Sequence, residues 1–270
     1  MFSFLKSRPI FWASVTGTTI GAAFFIKDLM QGERFKNAIK AENKVVIVTG
    51  SNTGIGKETA RELAKRGATV YMACRDMQKC EEARDEIVLE TYNKHVYCRQ
   101  CDLASLESVR KFVESFKKEQ QRLDILINNA GVMRCPRLLT KDGFEMQLGV
   151  NHMGHFLLTN LMLDLLKKSA PSRIVTVSSL AHTRGEINVA DLNSDKSYDP
   201  GTAYNQSKLA NILFTRELAR RLEGTGVTAN ALHPGVVDTE LFRHMGFFNS
   251  FFARFVCTYL SFQTAVLALH

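Results

Sequence analysis

From Lys44 onward, six short apolar runs alternate with longer segments whose apolar residues recur at helical spacing. The runs are Lys44–Val48, Thr69–Ala73, His95–Gln100, Leu123–Asn128, Arg173–Ser178 and Val227–Leu232. The helical segments are Ile55–Arg66, Met77–Thr91, Leu106–Gln120, Phe144–Lys168 and Ala203–Leu222. Strands alternating with helices of this length predict βαβ units. The runs VVIV and LDILI are apolar on both faces, as strands covered by helices on both sides must be. Right-handed crossovers then give an α/β fold with a doubly wound parallel sheet of the Rossmann type. No repeat, low-complexity tract or Pro/Gly-rich linker divides the stretch, so residues 44–270 read as a single domain.

Upstream, Ile10 to Ile26 carries no charge, with Lys6 and Arg8 before it and Lys27 and Asp28 after. A helix of that length spans roughly 26 Å, a little short of a ~30 Å hydrocarbon core. Ser14, Thr16, Gly17, Thr18, Thr19 and Gly21 dilute it further. The preferred reading is a membrane anchor. A cleaved targeting segment is the second, because no acidic residue precedes Asp28; a buried helix is the third. Residues 28–43 are polar and read as a linker, so residues 1–43 form an anchor-and-linker segment. The flanking charges are too balanced to choose a membrane face.

Composition adds little beyond exclusions. The 270 residues are 45% hydrophobic and 23% charged, values of an ordinary globular chain. Six cysteines are too sparse for a disulfide scaffold. A formal charge of +8 favours an anionic partner. No long basic run or aromatic–basic stripe is present, so nucleic acid is not expected.

The first candidate chemistry is a phosphate-binding turn. Thr49-Gly50-Ser51-Asn52-Thr53-Gly54-Ile55-Gly56 follows the first strand and opens the first helix. Glycine permits positive φ and lets the backbone lie against a pyrophosphate, while the helix N-terminus offers free N–H groups to the anion. The absence of Gly-Lys-Ser/Thr at the right spacing argues against a P-loop. The second strand ends Ala73-Cys74-Arg75-Asp76. It is neutral where a carboxylate would hold the ribose 2′-hydroxyl of NAD. The Arg75 guanidinium instead matches a 2′-phosphate by charge and fork geometry. NADP(H) is therefore the expected cofactor. Asp76 reads as the cap of the next helix. Lys79 either adds charge near the phosphate or is a solvated helix lysine.

The second is a proton-exchange pair. Tyr204 and Lys208 stand at i and i+4, on one helix face. A fixed ammonium favours the phenolate and draws the tyrosine toward working pH. Such a phenol can exchange a proton with an alcohol or carbonyl. Ser178 and Ser179 end the fifth run, at the sheet edge where ligands bind. Ser179 is preferred as the hydroxyl that holds the substrate oxygen, with Ser178 kept open. Asn128-Asn129-Ala130-Gly131 ends the fourth run in the same plane, and its small residues let backbone lie against a cofactor ribose.

Together these motifs resemble the short-chain dehydrogenase/reductase family. The Thr-Gly-x-x-x-Gly-Ile-Gly turn, Asn-Asn-Ala-Gly, Ser-Ser, Tyr-x-x-x-Lys and Pro234-Gly235 stand in that family's order over Lys44 to about Glu240. Gly131–Pro136 (GVMRCP), Val150–Phe156 (VNHMGHF), Ser207–Leu213 (SKLANIL) and His233-Pro234-Gly235 are similar to its retinol dehydrogenase branch. The resemblance implies Tyr204 as acid/base and Lys208 as its tuner and a ligand of the nicotinamide ribose. It implies Ser179 on the substrate oxygen, and Asn151 kinking its helix and positioning a proton-relay water. It further implies Asp102 and Leu103 against adenine, Asn129 and Gly131 beside the adenosine ribose, and Pro234, Val237 and Thr239 over the nicotinamide. The expected substrate is a lipophilic alcohol or aldehyde, retinol/retinal foremost. Steroid or other lipid carbonyls are the alternative. The expected location is the endoplasmic reticulum or mitochondrial inner membrane.

The family continues for several tens of residues, through a seventh strand and a terminal helix, whereas this chain stops at His270, soon after Gln263–Leu269. The last strand is therefore expected to be missing. That keeps a catalytically weak NADP-binding protein as an alternative, and a homodimer as an open expectation. Cys98-x-x-Cys101 has half the spacing of a zinc site, but no second pair has ligand spacing, so no metal is expected. His152 and His155, at i and i+3, read as polar residues near the site's floor. Phe247, Phe248, Phe251, Phe252 and Phe255 read equally as a substrate lid, a membrane-dipping patch or core.

Overall fold

A computed structural model describes residues 39–235 and Leu241. The anchor run Ile10–Ile26, Val237, Thr239, the phenylalanine cluster and the stretch in which a seventh strand is sought lie outside them. Six strands form one parallel sheet in the order β3-β2-β1-β4-β5-β6. They are β1 (Val45–Thr49), β2 (Thr69–Cys74), β3 (Val96–Gln100), β4 (Ile125–Asn128), β5 (Ser172–Val177) and β6 (Val227–Leu232). The helices between them are α1 (Gly54–Lys65), α2 (Met77–Thr91), α3 (Leu106–Glu119), α4 (Gly154–Lys168) and α5 (Pro200–Arg221). The strand order reverses between β1 and β4, and at that switch point a crevice opens beyond the strands' C-terminal ends.

Alternation along β1 explains the two layers. Val45 and Ile47 face one core with Phe112, Phe116, Leu158 and Leu166. Val46 and Val48 face the other with Leu63, Val70, Met72 and Ile87. Successive strand residues point to opposite faces, so a strand apolar at every position needs a helix layer on each side. Among the described residues, no helix is long and apolar enough to cross a membrane.

Local chemistry sets the helix starts. Asp76 caps α2 by accepting from the Lys79 N–H at 3.1 Å. Asp199 caps α5 by accepting from Thr202 N–H at 2.7 Å, with Pro200 in the first turn. That cap starts α5 three residues before the expected Ala203, so Tyr204 lies a turn inside the helix rather than at its opening. The expected single helix Phe144–Lys168 runs without a gap from Met146 but carries a π segment inside it. Met146–Leu148 makes one turn, Gly149–Met153 is the π segment, and α4 follows from Gly154. Cys98 has a partner other than Cys101: it forms a disulfide with Cys80 of α2. Periodicity and spacing carried no sign of the disulfide, whereas the π segment contains Asn151, where the family resemblance implied a kink.

Asp124 ties the bottom of the sheet together. Its carboxylate, 1% exposed, accepts from Lys44 Nζ at 3.0 Å, the Val45 N–H at 2.9 Å and both Nε and Nη2 of Arg122. Burial pushes this carboxyl up, but Arg122, the Val45 N–H and Lys44 outweigh it and leave it below the ordinary value. A lowered acid contributes stability above its unfolded value near 4, and loses it as pH falls through the folded value. Asp124→Asn is expected to destabilise the fold by about 2 kcal/mol at pH 7. Urea unfolding at pH 7 and near pH 3 checks this, since the difference from the parent chain must shrink in acid.

Candidate active site

The site begins at the end of β1. Gly50 and Gly54 have φ of +62° and +54°, the left-handed region that favours glycine. A Cβ on Gly50 would meet the Ala130 Cβ at 2.8 Å, and one on Gly56 would run into the Gly50 carbonyl and the Asn129 amide. Turn, helix start and β4 loop are therefore packed at backbone distance. Thr53 precedes α1 in extended conformation, and its side chain makes no capping bond.

Thr49 fastens this turn to the rest. Its Oγ1 accepts the backbone N–H groups of Asn129 and Ala130 at 2.9 and 3.0 Å and lies 2.8 Å from His155 Nε2. The other ring nitrogen, Nδ1, is 3.0 Å from the carbonyl of Asn151. A carbonyl only accepts, so Nδ1 carries the proton and Nε2 accepts from the Thr49 hydroxyl. Burial pushes His155 down to about 4, and repulsion from Lys208 adds to it, so the ring is neutral at physiological pH.

A cavity of about 990 Å³ opens above the turn. Gly50, Asn52, Thr53, Gly54, Ile55 and Gly56 line one end with Arg75 and Lys79, followed by Asp102 and Leu103. Asn129, Ala130 and Gly131 form the middle. Ser179, Tyr204, Lys208 and Pro234 line the far end. Two expected residues do not line it. Ser51 is buried under the turn with its hydroxyl on the Val48 carbonyl at 2.9 Å, and Asn151 is buried behind the wall. Asn151 Oδ1 accepts from the Val132 N–H at 2.8 Å, while its Nδ2 donates to the Val132 carbonyl and Ser207 Oγ. Each polar atom of that side chain already has a partner, so here it braces the β4 loop against α5.

At the far end burial dominates the electrostatics. Lys208 Nζ donates to the Val177 carbonyl at 3.0 Å and lies 5.7 Å from the Tyr204 ring centre. Burial lowers this lysine to about 8. Tyr204 moves opposite to the sequence expectation: burial raises its phenol above the ordinary value, and the Ser179 hydrogen bond and nearby Arg134 offset only part of that. The reason is desolvation, which penalises phenolate and ammonium alike because both side chains are buried. Ser179 lines the cavity with the phenol and accepts from the Ala181 N–H at 3.2 Å, whereas Ser178 turns away and donates to the Lys208 carbonyl at 2.9 Å.

A family model for short chain dehydrogenases matches residues 44–246. The chain belongs to the short-chain dehydrogenase/reductase family. Human retinol dehydrogenase 13 is 58% identical over 248 residues, covering 92% of this chain and 75% of that protein. Human retinol dehydrogenase 12 is 58% identical over 219 residues, covering 81% and 69%. These relatives place the enzyme in the retinol dehydrogenase branch. The solved Pseudomonas aeruginosa RhlG/NADP active-site complex is 25% identical with a TM-score of 0.65, covering 80% of each chain.

Sequence reasoning missed three residues of this dehydrogenase's site: Thr49 as a junction, and Arg134 and Arg184 in the cavity wall. A threonine at a strand end was the available signal for the first. Nothing in spacing marks the arginines. Thr49→Val keeps the shape but leaves the half-buried Ala130 N–H without an acceptor, reduces the Asn129 N–H to its bond with the Ile127 carbonyl at 3.1 Å, and takes the donor from His155 Nε2. It is expected to cost about 3 kcal/mol in chemical unfolding.

Proposed function

We propose that this dehydrogenase reduces a lipophilic aldehyde to its alcohol with NADPH, retinal being the leading candidate. One observation carries the reading: a single cavity holds the glycine turn and Arg75 at one end, and Ser179, Tyr204 and Lys208 at the other. The cradle fits a dinucleotide, because Gly50 and Gly56 leave no space for a side chain and the first turn of α1 opens onto the cavity. Arg75 and Lys79 are exposed at its end and form no salt bridge among the described residues, which suits a 2′-phosphate. The substrate class rests on the retinol dehydrogenases that the chain resembles. The apolar Ile10–Ile26 run is read as a tether to the membrane in which such substrates dissolve.

When bound, NADPH supplies a hydride. The chain's own residues handle the oxygen and its proton. The hydroxyls of Ser179 and Tyr204 hold the carbonyl oxygen between them. Burial keeps the Tyr204 phenol protonated at neutral pH, so it is ready to give its proton to that oxygen as negative charge develops. The Lys208 ammonium steadies the phenolate left behind. Pro234 closes the cavity wall beside this pair.

Tyr204→Phe is expected to lower NADPH-dependent turnover of all-trans-retinal at least 100-fold, a general acid's ordinary contribution, with NADPH binding retained. Turnover unchanged in that variant rejects the reading, and a steroid ketone assayed in parallel tests the substrate class. Arg75→Ala is expected to weaken NADPH binding about tenfold while leaving NADH binding nearly unchanged. Fluorescence titration with both nucleotides measures the difference.

A further inference from the structure

Arg134 stands in the β4 loop with φ of +50°, a conformation that a residue with a side chain rarely adopts. Strained backbone persists only where the surroundings over-determine it, and here they do. The Arg134 N–H donates to Oε1 of Gln147 at 2.7 Å, and Gln147 is completely buried. The Nε2 of the same amide donates to Tyr198 Oη at 2.9 Å and to the Pro200 carbonyl at 3.0 Å. Tyr198 in turn donates to the Cys135 carbonyl at 2.7 Å. One buried amide thus fastens Arg134 to the first residue of α5.

The side chain, exposed to solvent, borders the site. Arg134 lines the cavity with Tyr204. A Cβ on Gly201, one turn before Tyr204, would meet Arg134 Nη2 at 3.7 Å. The guanidinium forms no salt bridge among the described residues. The Asp199 carboxylate beside it is engaged by Thr202, through N–H and hydroxyl at 2.7 and 2.8 Å.

We propose that Arg134 is a positioning residue for catalysis, a cation beside the first turn of α5 that sets the proton affinity of Tyr204. The inference rests on Tyr204 as the proton donor. The ionisable groups that line the cavity with the phenol are Lys208 from α5, Arg134 from the β4 loop, Arg184 from the segment after β5 and His233 after β6, and Asp199, the cap of α5, lies beside Arg134 at Gly201. Lys208 is already lowered to about 8 by burial, so its charge fades over the range in which the phenol must work. A guanidinium keeps its charge there. The stabilisation of phenolate by Arg134 agrees with this placement.

The test is the pH dependence of kcat/KM in both directions, with retinal and NADPH, and with retinol and NADP, on the full chain. Alcohol oxidation needs the phenolate, so its acid limb reports the phenol. Arg134→Gln is expected to move that limb about one unit to higher pH, a roughly tenfold loss of oxidation below it. The alkaline limb of reduction must move the same way, and Arg134→Lys must restore most of both. Gln147→Leu frees the Arg134 backbone but keeps the cation in the chain. It is expected to shift both limbs in the same direction by less, which keeps the test available if Arg134→Gln does not fold. A uniform loss at every pH with unmoved limbs overturns the proposal in favour of a structural role. A raised KM with unmoved limbs overturns it in favour of a substrate contact. Limbs that persist in Tyr204→Phe overturn the underlying assignment of Tyr204 instead.

Discussion

The hydroxyl of Thr49 is the junction on which the site depends. It accepts from two N–H groups of the β4 loop and donates to His155, so all of its hydrogen-bonding capacity is used. That arrangement requires a neutral His155 with its proton on Nδ1, held by the Asn151 carbonyl within the π segment. Three pieces of chain distant in sequence therefore share one proton arrangement. The π segment extends the logic, because it brings the Asn151 side chain onto Val132 and Ser207 and thereby braces the β4 loop against α5. A regular helix from Phe144 to Lys168 would rotate Asn151 relative to His155 and lose one of the two attachments.

Desolvation governs the chemistry at the other end. Lys208 and Tyr204 are both buried, and burial shifts each toward its neutral form. A neutral phenol suits giving a proton to a carbonyl oxygen. Running the reaction toward oxidation needs the phenolate and so needs nearby positive charge. The cavity wall carries that charge in Lys208, which is sensitive to burial, and in the arginines Arg134 and Arg184. Asp76 and Asp102 are the acidic side chains in the cavity wall, and Asp76 is engaged in capping α2.

The legible parts of the chain were those decided by neighbours in sequence. Asp76 as a helix cap, the glycine turn after β1 and the six strands each follow from a few adjacent residues. The pairing of Cys80 with Cys98 escaped notice because it joins a helix to a strand that packs beside it. The gap between them resembles no ligand spacing, and Cys98-x-x-Cys101 drew attention instead. Ser178 and Ser179 differ by one position, yet one meets helix backbone and the other lines the cavity with the phenol, because successive residues leaving a strand point to opposite sides.

Sequence by itself determined the α/β alternation, the doubly wound sheet and the set of residues that the topology carries to one edge. Periodicity and turn chemistry are local, and right-handed crossovers leave few other ways to assemble such units. Only the tertiary structure decided which of those residues face the cavity, which brace it from behind and which protonation state each holds. Ser51 and Asn151 brace it, Arg134 borders it from a left-handed backbone, and Tyr204 stays a phenol. Those outcomes depend on burial and on hydrogen-bond partners far away in the chain, and neither is written in any local pattern of residues.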